Sequence, residues 1–352
     1  MKRVSILLAL AALFVAGCNG GDQGAKTDNG TTGTAGTTGT TGSDTGGGKT
    51  FKITMIAKSS TNPVFLSART GAEDAAKKLG PDYKTNVQID WQTPDKEDGQ
   101  VQAQNIQAAI SQHSDAILIS CSDAAKVTGA INDAVAAGIP VMTFDSDAPD
   151  SKRFAYYGVD DEETGKLVMD TLAKQIGGKG NVAILAGNQN APNLQKRVKG
   201  VEDAAKAYPG IKIVDVVHHV ETPEDASSAV VAEMNAHPDI TAWAMVGGWP
   251  LFATSLLTEM PSRHVKVVSV DALPKELAYV DAGIAPELLA QPTYKWGYES
   301  VRIILDKCVA KKDVPVINKM DLVPVTKETL GSWARQLKEW GMDVDQKYLD
   351  MK

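Results

Sequence analysis

From residue 51 onward, short apolar runs rich in Val, Ile and aromatic residues recur at 51–57, 87–91, 116–121 and 140–145, each bounded by polar residues or by Gly and Pro. Runs of this length and composition predict strands. Between them lie Ala-rich segments with apolar residues at helical spacing, at 64–79, 101–111 and 124–137. The first has Asn62 as its N-cap, Pro63 at the first helical position and Gly80 as its C-cap. The third runs into Ala137-Gly138-Ile139-Pro140, a helix stop that feeds straight into a strand. The pattern then starts again, with strands expected at 181–186, 211–220, 242–246 and 265–270 and helices at 193–207, 223–236 and 251–260. Near-continuous apolar strands alternating with helices predict parallel sheets covered on both faces. The expected fold is therefore α/β, with two doubly wound parallel-sheet lobes centred on 51–155 and 158–290. A further helix at 295–311 and the segment 320–325 have no place in the second lobe and are expected to cross back to the first.

The first fifty residues differ in kind. Met1-Lys2-Arg3 is a short positive start, and residues 6–16 form an uncharged apolar stretch, too short to span a bilayer core of roughly 30 Å. It predicts a signal peptide at 1–17. The small residues before Cys18 resemble the bacterial lipobox, which implies cleavage after Gly17 and lipidation of Cys18. Asn19, not Asp, follows that cysteine, so the simplest inner-membrane retention signal is absent. Residues 19–50 hold 11 Gly and 10 Thr and no large apolar side chain, the composition of a disordered tether. As a flexible coil it reaches roughly 30 Å.

Length and charge narrow the class further. At 352 residues the chain exceeds what one hydrophobic core usually holds. Its 36 Lys and Arg against 43 Asp and Glu give a net charge of -7, the wrong sign for a phosphate binder, so nucleic acid is not an expected partner. Three cysteines cannot build a disulfide framework; Cys121 and Cys308 read as buried small groups, with a pairing between them left open. No G-x-S-x-G, G-x-x-x-x-G-K-[ST] or H-E-x-x-H motif occurs. Neither a cofactor nor a metal is expected. Asp160-Asp161-Glu162-Glu163 fits no calcium loop and reads as acids opposing a helix dipole, and His218-His219 point to opposite faces of a strand.

In an open parallel sheet, ligands sit beyond the carboxyl ends of the strands. Here those ends carry Lys58 to Asn62, Ser120 to Asp123, Asp145-Ser146-Asp147, Gly187 to Asn190, Glu221-Thr222, Gly247-Gly248-Trp249, Asp271 and Gln291. Carboxylates, amides and hydroxyls dominate, with Phe65 and Trp249 as aromatic members. Such a set suits a polyhydroxylated ligand whose C–H faces are covered by flat rings. Trp91, Trp243 and Trp296 read as packing residues.

The residues Asn62-Pro63-Val64-Phe65, Lys78-Leu79-Gly80, Ala137 to Val141, Phe144-Asp145, Arg197 to Gly200, Ala236 to Asp239, Val268 to Asp271 and Ala290-Gln291-Pro292 follow one another in a characteristic order. As a set they resemble the ribose/galactose-type periplasmic sugar-binding proteins over about residues 51–325. The resemblance implies a type I periplasmic binding protein fold whose lobes close over a sugar about a three-strand hinge near Tyr157-Gly158, Gln291-Pro292 and Val323-Pro324. It implies a first lobe of 51–157 with 292–320 and a second of 158–291 with 321–352. It further implies ligand contacts at Asn62, Phe65, Asp145, Arg197 (or Gln195 in another register), Asp271 and Gln291; Lys58, Asn190, Glu221 and Trp249 join them from the strand-end set.

Two departures bear on the ligand. Val64 stands where the ribose type has an aromatic residue, and Gly247-Gly248 where it has an Asn-Asp pair. Trp249 is then the expected stacking platform, with the glycine amides donating to ligand. The expected function is a non-enzymatic, lipid-anchored solute-binding protein of the cell envelope, acting as a monomer. It would deliver a monosaccharide or polyol to an ABC transporter permease. The alternatives are a receptor for a nucleoside or autoinducer-2, and a carbohydrate-active enzyme using Asp145, Glu221 and Asp271.

Overall fold

The computed structural model describes residues 50–352; the signal peptide, Cys18 and the tether up to residue 49 lie outside the described residues. The order begins β1 (Thr50–Ile56), α1 (Pro63–Leu79), β2 (Asn86–Trp91), α2 (Gly99–Ser111), β3 (Ala116–Ile119), α3 (Ala124–Ala136), β4 (Val141–Phe144) and β5 (Ala155–Gly158). It continues with α4 (Asp161–Gln175), β6 (Lys179–Gly187), α5 (Pro192–Ala205), β7 (Gly210–His218), α6 (Pro223–Ala236) and β8 (Ala242–Met245). A 3-10 turn at Trp249–Phe252 precedes α7 (Leu256–Ser262), β9 (Lys266–Val270), α8 (Leu277–Asp281), β10 (Glu287–Ala290) and α9 (Thr293–Cys308). Last come β11 (Ile317–Lys319), β12 (Val323–Thr326), α10 (Leu330–Glu339) and α11 (Gln346–Leu349).

Two six-stranded sheets result, ordered β11-β5-β4-β3-β1-β2 and β12-β10-β9-β8-β6-β7. All pairings are parallel except β10 with β12. β3, β4 and β8 are buried along their whole length, because helices cover both faces and leave no position for a polar alternation. The two-lobed α/β architecture is as expected from the sequence.

The chain passes between the sheets three times: after β5, between β10 and α9, and between β11 and β12. As expected, α9 packs on the first lobe, where Trp296 meets Phe65 and Phe144 at ring separations of 6.1 and 6.2 Å. The segment at 320–325 does not follow it: Val323–Ala290 and Val325–Leu288 pair within the second sheet. The expected helix at 251–260 is split into the 3-10 turn and α7, with extended backbone at Ala253 between them. Cys121 is buried in the first lobe, Cys308 is half-buried at the end of α9, and both are free thiols. Trp243 and Trp296 are buried packing residues, and Trp91 is half-buried under the guanidinium of Arg69. Among the described residues no helix is long and apolar enough to cross a membrane.

Candidate functional site

Parallel strands running the same way deliver their carboxyl ends to one place, and here seven strands do so. Lys58, Ser120 and Asp145 follow β1, β3 and β4; Asn188, Val246, Asp271 and Gln291 follow β6, β8, β9 and β10. Asp145 and Asp271 leave their strands in the left-handed region, at φ 56 and 79, which Asp tolerates better than most residues.

Asp145 is the meeting point of the two lobes. Its Oδ2 accepts from Ser120 Oγ at 2.7 Å, and its Oδ1 accepts from Asn193 Nδ2 of the second lobe at 3.1 Å. Lys58 Nζ donates to Asn193 Oδ1 at 3.2 Å and stands 4.0 Å from Asp145 Oδ2. Arg197 on α5 is 4.0 Å from Asp145 and is otherwise fully engaged: Nε donates to Asp161 (2.9 Å), Nη1 to the Val246 carbonyl (3.1 Å) and Nη2 to Gln291 Oε1 (2.9 Å). Gln291 Nε2 in turn donates to Asp271 Oδ1 at 2.9 Å, and the Gly248 amide to Asp271 Oδ2 at 3.4 Å.

A second chain of contacts lies beside the first. Glu221 accepts from Trp249 Nε1 at 3.2 Å and from the Asn188 amide at 3.3 Å. Asn188 Nδ2 donates across the cleft to Glu97 Oε2 at 3.1 Å. Glu276, fully buried, accepts from the Leu273 amide.

Burial would drive the Lys58 ammonium toward neutrality, yet the carboxylates of Glu221, Asp145 and Glu97 outweigh it and hold its pKa above the ordinary value. Burial raises Asp271 and Asp161 although Arg197 opposes it in both, and raises Glu276 well above the carboxylate range. Burial and the neighbouring Glu221 push Glu97 up to about 8. The arrangement offers many buried acceptors and a few positioned donors. That is what binding several hydroxyls requires, each being both donor and acceptor. No cluster of His, Cys, Asp and Glu able to hold a metal ion occurs among the described residues.

The periplasmic binding protein domain family matches residues 53–312. The chain belongs to that family. It is 27% identical to the ribose import binding protein RbsB of Bacillus subtilis over 245 residues, 68% of this chain and 72% of that one. An ABC transporter solute-binding protein from Burkholderia graminis in complex with D-arabinose shares 28% identity at a TM-score of 0.72, covering 79% of this chain and 96% of that one. GanP, a glucose-galactose binding protein from Geobacillus stearothermophilus, matches at 28% and 0.72, covering 80% and 99%.

Within this periplasmic binding protein, Lys58, Asp145, Arg197, Asp271 and Gln291 fall into one hydrogen-bonded and ion-paired network, and Glu221 and Trp249 into the adjoining one. Arg197 is buried in the network, while Gln195, the other register, donates to the Gln189 carbonyl at the surface. Asn62 is buried and its Oδ1 caps α1 by accepting from the Val64 amide. Phe65 lies outside both networks, and Asn190 reaches the adjoining one only through its backbone amide, which donates to Asn188 Oδ1 at 3.0 Å. The Phe65 ring packs in the first-lobe core with Trp296 and Phe144. Asn190 is exposed, beside a polar recess of about 280 Å³ at the rim that Glu97 and Ser122 also line.

The glycines before Trp249 also have a different role from the one expected. The Gly248 amide is already bonded to Asp271, and a Cβ on Gly247 would fall 2.5 Å from the Trp249 ring. Gly247 therefore gives the indole its seat, with His219 edge-on at 5.0 Å. Asp147 binds Arg153 through both carboxylate oxygens at 2.6 Å, an ion pair within the first lobe.

Asn193, Asp161 and Glu97 escape the sequence reading. Asn193 and Asp161 sit at helix starts, and the available signal was Pro192 at N1 of α5, the counterpart of Pro63. Glu97 follows β2 at a distance of six residues, beyond the reach of a strand-end rule.

Proposed function

We propose that this chain is an extracytoplasmic solute-binding lipoprotein that captures a monosaccharide or polyol between two closing lobes and delivers it to an ABC transporter permease. The buried network joining Lys58 and Asp145 of one lobe to Asn193 and Arg197 of the other carries the reading. A ligand that replaces those interlobe partners with its own hydroxyls has contacts in the closed state that it lacks in the open one, and that difference shifts the population. The site side chains then only hold the ligand's hydroxyls and no reaction follows, in keeping with relatives named for binding. Cys18 holds the domain to a membrane through the tether.

The test is the melting temperature of the protein against pentoses, hexoses, polyols, nucleosides and autoinducer-2. A ligand at a hundredfold excess over its Kd adds about 2.7 kcal/mol, a shift of several degrees. Response to one monosaccharide and not to its epimers, lost at least tenfold in affinity in Asp145→Ala and Asp271→Ala, is the expected result. Response to a nucleoside or autoinducer-2 alone would move the protein to scavenging or signalling. Turnover of glycosides would overturn binding without catalysis.

A further inference from the structure

Glu97 and Glu221 occupy equivalent places in the two lobes, each immediately before the N-cap of the helix that follows the second strand of its sheet in chain order: Asp98 for α2 after β2 and Thr222 for α6 after β7. Closure brings both acids to bear on Lys58. Glu221 has both oxygens engaged, by Trp249 and Asn188. Glu97 has only one: Oε2 accepts from Asn188 Nδ2 across the cleft, while Oε1 is buried with no partner among the described residues. A buried oxygen without a partner is costly unless something else supplies one.

We propose that Glu97 is a ligand contact of the first lobe, its Oε1 protonated on closure and donating a hydrogen bond to an oxygen of the captured sugar while Oε2 stays on Asn188. The proposal rests on the sugar-binding reading above. Asp145, Asp271 and Glu221 present acceptors, whereas the ring oxygen of a monosaccharide needs a donor. A neutral carboxyl supplies one where a carboxylate would only add to the surplus. Burial and Glu221, with Asp145 behind them, oppose a third negative charge at Glu97 and outweigh Lys58 and the Asn188 hydrogen bond, which favour it. On the outer side, Asp98, Asp123 and Lys126 line the same rim recess.

With the lobes closed, burial and Glu221 raise Glu97 to about 8. With the lobes apart, Asn188 and Glu221 are withdrawn and the carboxyl returns toward its ordinary value of 4.5. A pKa raised in the closed state stabilises that state at acid pH, and the stabilisation is lost as pH rises through the interval between the two values. Capture near neutral pH therefore takes up a proton from the buffer.

Calorimetric titration of the protein with D-ribose, D-xylose, D-arabinose, D-galactose and xylitol, in buffers of different ionisation enthalpy, tests this. For the sugar that binds, uptake of up to about one proton and an affinity falling more than tenfold from about pH 6 to about pH 8 are expected. Glu97→Gln keeps a donor and cannot titrate; it should bind within a few-fold of the parent at about pH 6, with a flat pH profile and no proton uptake. Glu97→Ala should lose about tenfold or more at every pH. If Glu97→Ala binds like the parent, or Glu97→Gln keeps the proton uptake, the proposal falls and the sugar reading stands. If none of the five binds the parent protein, the sugar reading fails and this proposal with it.

Discussion

The two lobes repeat one backbone plan and furnish it differently. The helix after the first strand of each sheet, α1 after β1 and α5 after β6, begins with Pro at N1, and a glycine stands nine residues after each cap, Gly71 after Asn62 and Gly200 after Ala191. The helix packed against it has glycine at its fifth position, Gly297 in α9 and Gly165 in α4. Added Cβ atoms at Gly71 and Gly200 would fall 1.9 Å from the Tyr294 carbonyl and 2.1 Å from the Glu162 carbonyl, so both helix pairs cross with their backbones touching. At the positions where the second lobe has Asn193, Arg197 and Asp161, the first has Val64, Ala68 and Thr293. One crossing is apolar; the other holds a buried ion pair. The polar groups of the second lobe are consequently tied to one another, through Arg197, Gln291 and Asp271. Lys58 and Asp145 of the first lobe find partners across the cleft. Opening leaves the second lobe's half of the site assembled and strips partners from the first lobe's half.

The largest effect should come from removing the group that separates the two crossings. Arg197→Ala leaves Asp161 and Asp271 buried without their cation, and loss of one member of a buried pair costs about 3–5 kcal/mol. Urea unfolding measures it. The first lobe shows that the same crossing packs with Ala and Thr, so adding Asp161→Thr to Arg197→Ala should recover much of the loss. A double variant no more stable than the single one would show that the lobes are not equivalent at this crossing.

The glycine contacts give the next largest effect and ask the opposite question. Gly71→Ala and Gly200→Ala each force a methyl against a carbonyl, at about 1–3 kcal/mol for overpacking, and the two losses should be similar. They should part in ligand affinity, because α5 carries Asn193 and Arg197 into the network. Gly200→Ala should weaken capture of the sugar that responds in the melting screen more than Gly71→Ala does. Equal effects on binding would mean that the second half-site is not positioned by this crossing.

The repeat of lobes is legible because buried parallel strands leave uninterrupted apolar runs, and the helix expected at 223–236 coincides with α6. β5 and β10, four residues each like β3, β4 and β8, are not among the expected strands, and the polar face of α4 hides its periodicity. Lys58, Asp145 and Asp271 follow expected strands, so strand direction alone places them, whereas Gln291, after β10, comes with the family resemblance. Asp161 was read only as a dipole partner. Asp160 does cap α4 by accepting from the Glu163 amide, but its neighbour turns inward to Arg197, a consequence of the helix crossing that no local pattern encodes. Glu97 meets Asn188 91 residues away in sequence, a contact made only by the apposition of the lobes.

The smallest effect lies at the cap that one lobe has and the other lacks. Asn62 Oδ1 accepts from the Val64 amide at 3.2 Å, whereas Ala191 offers α5 no side-chain cap. Asn62→Ala should therefore cost about 1 kcal/mol of unfolding free energy. The family resemblance also implies a ligand contact at Asn62, and the two roles can be separated. Asn62→Ser keeps an oxygen able to cap but removes the amide donors, so it should unfold nearly like the parent protein while binding its sugar more weakly. Should Asn62→Ser and Asn62→Ala bind equally well and differ only in stability, the residue is a cap alone, and the first lobe meets its ligand without it.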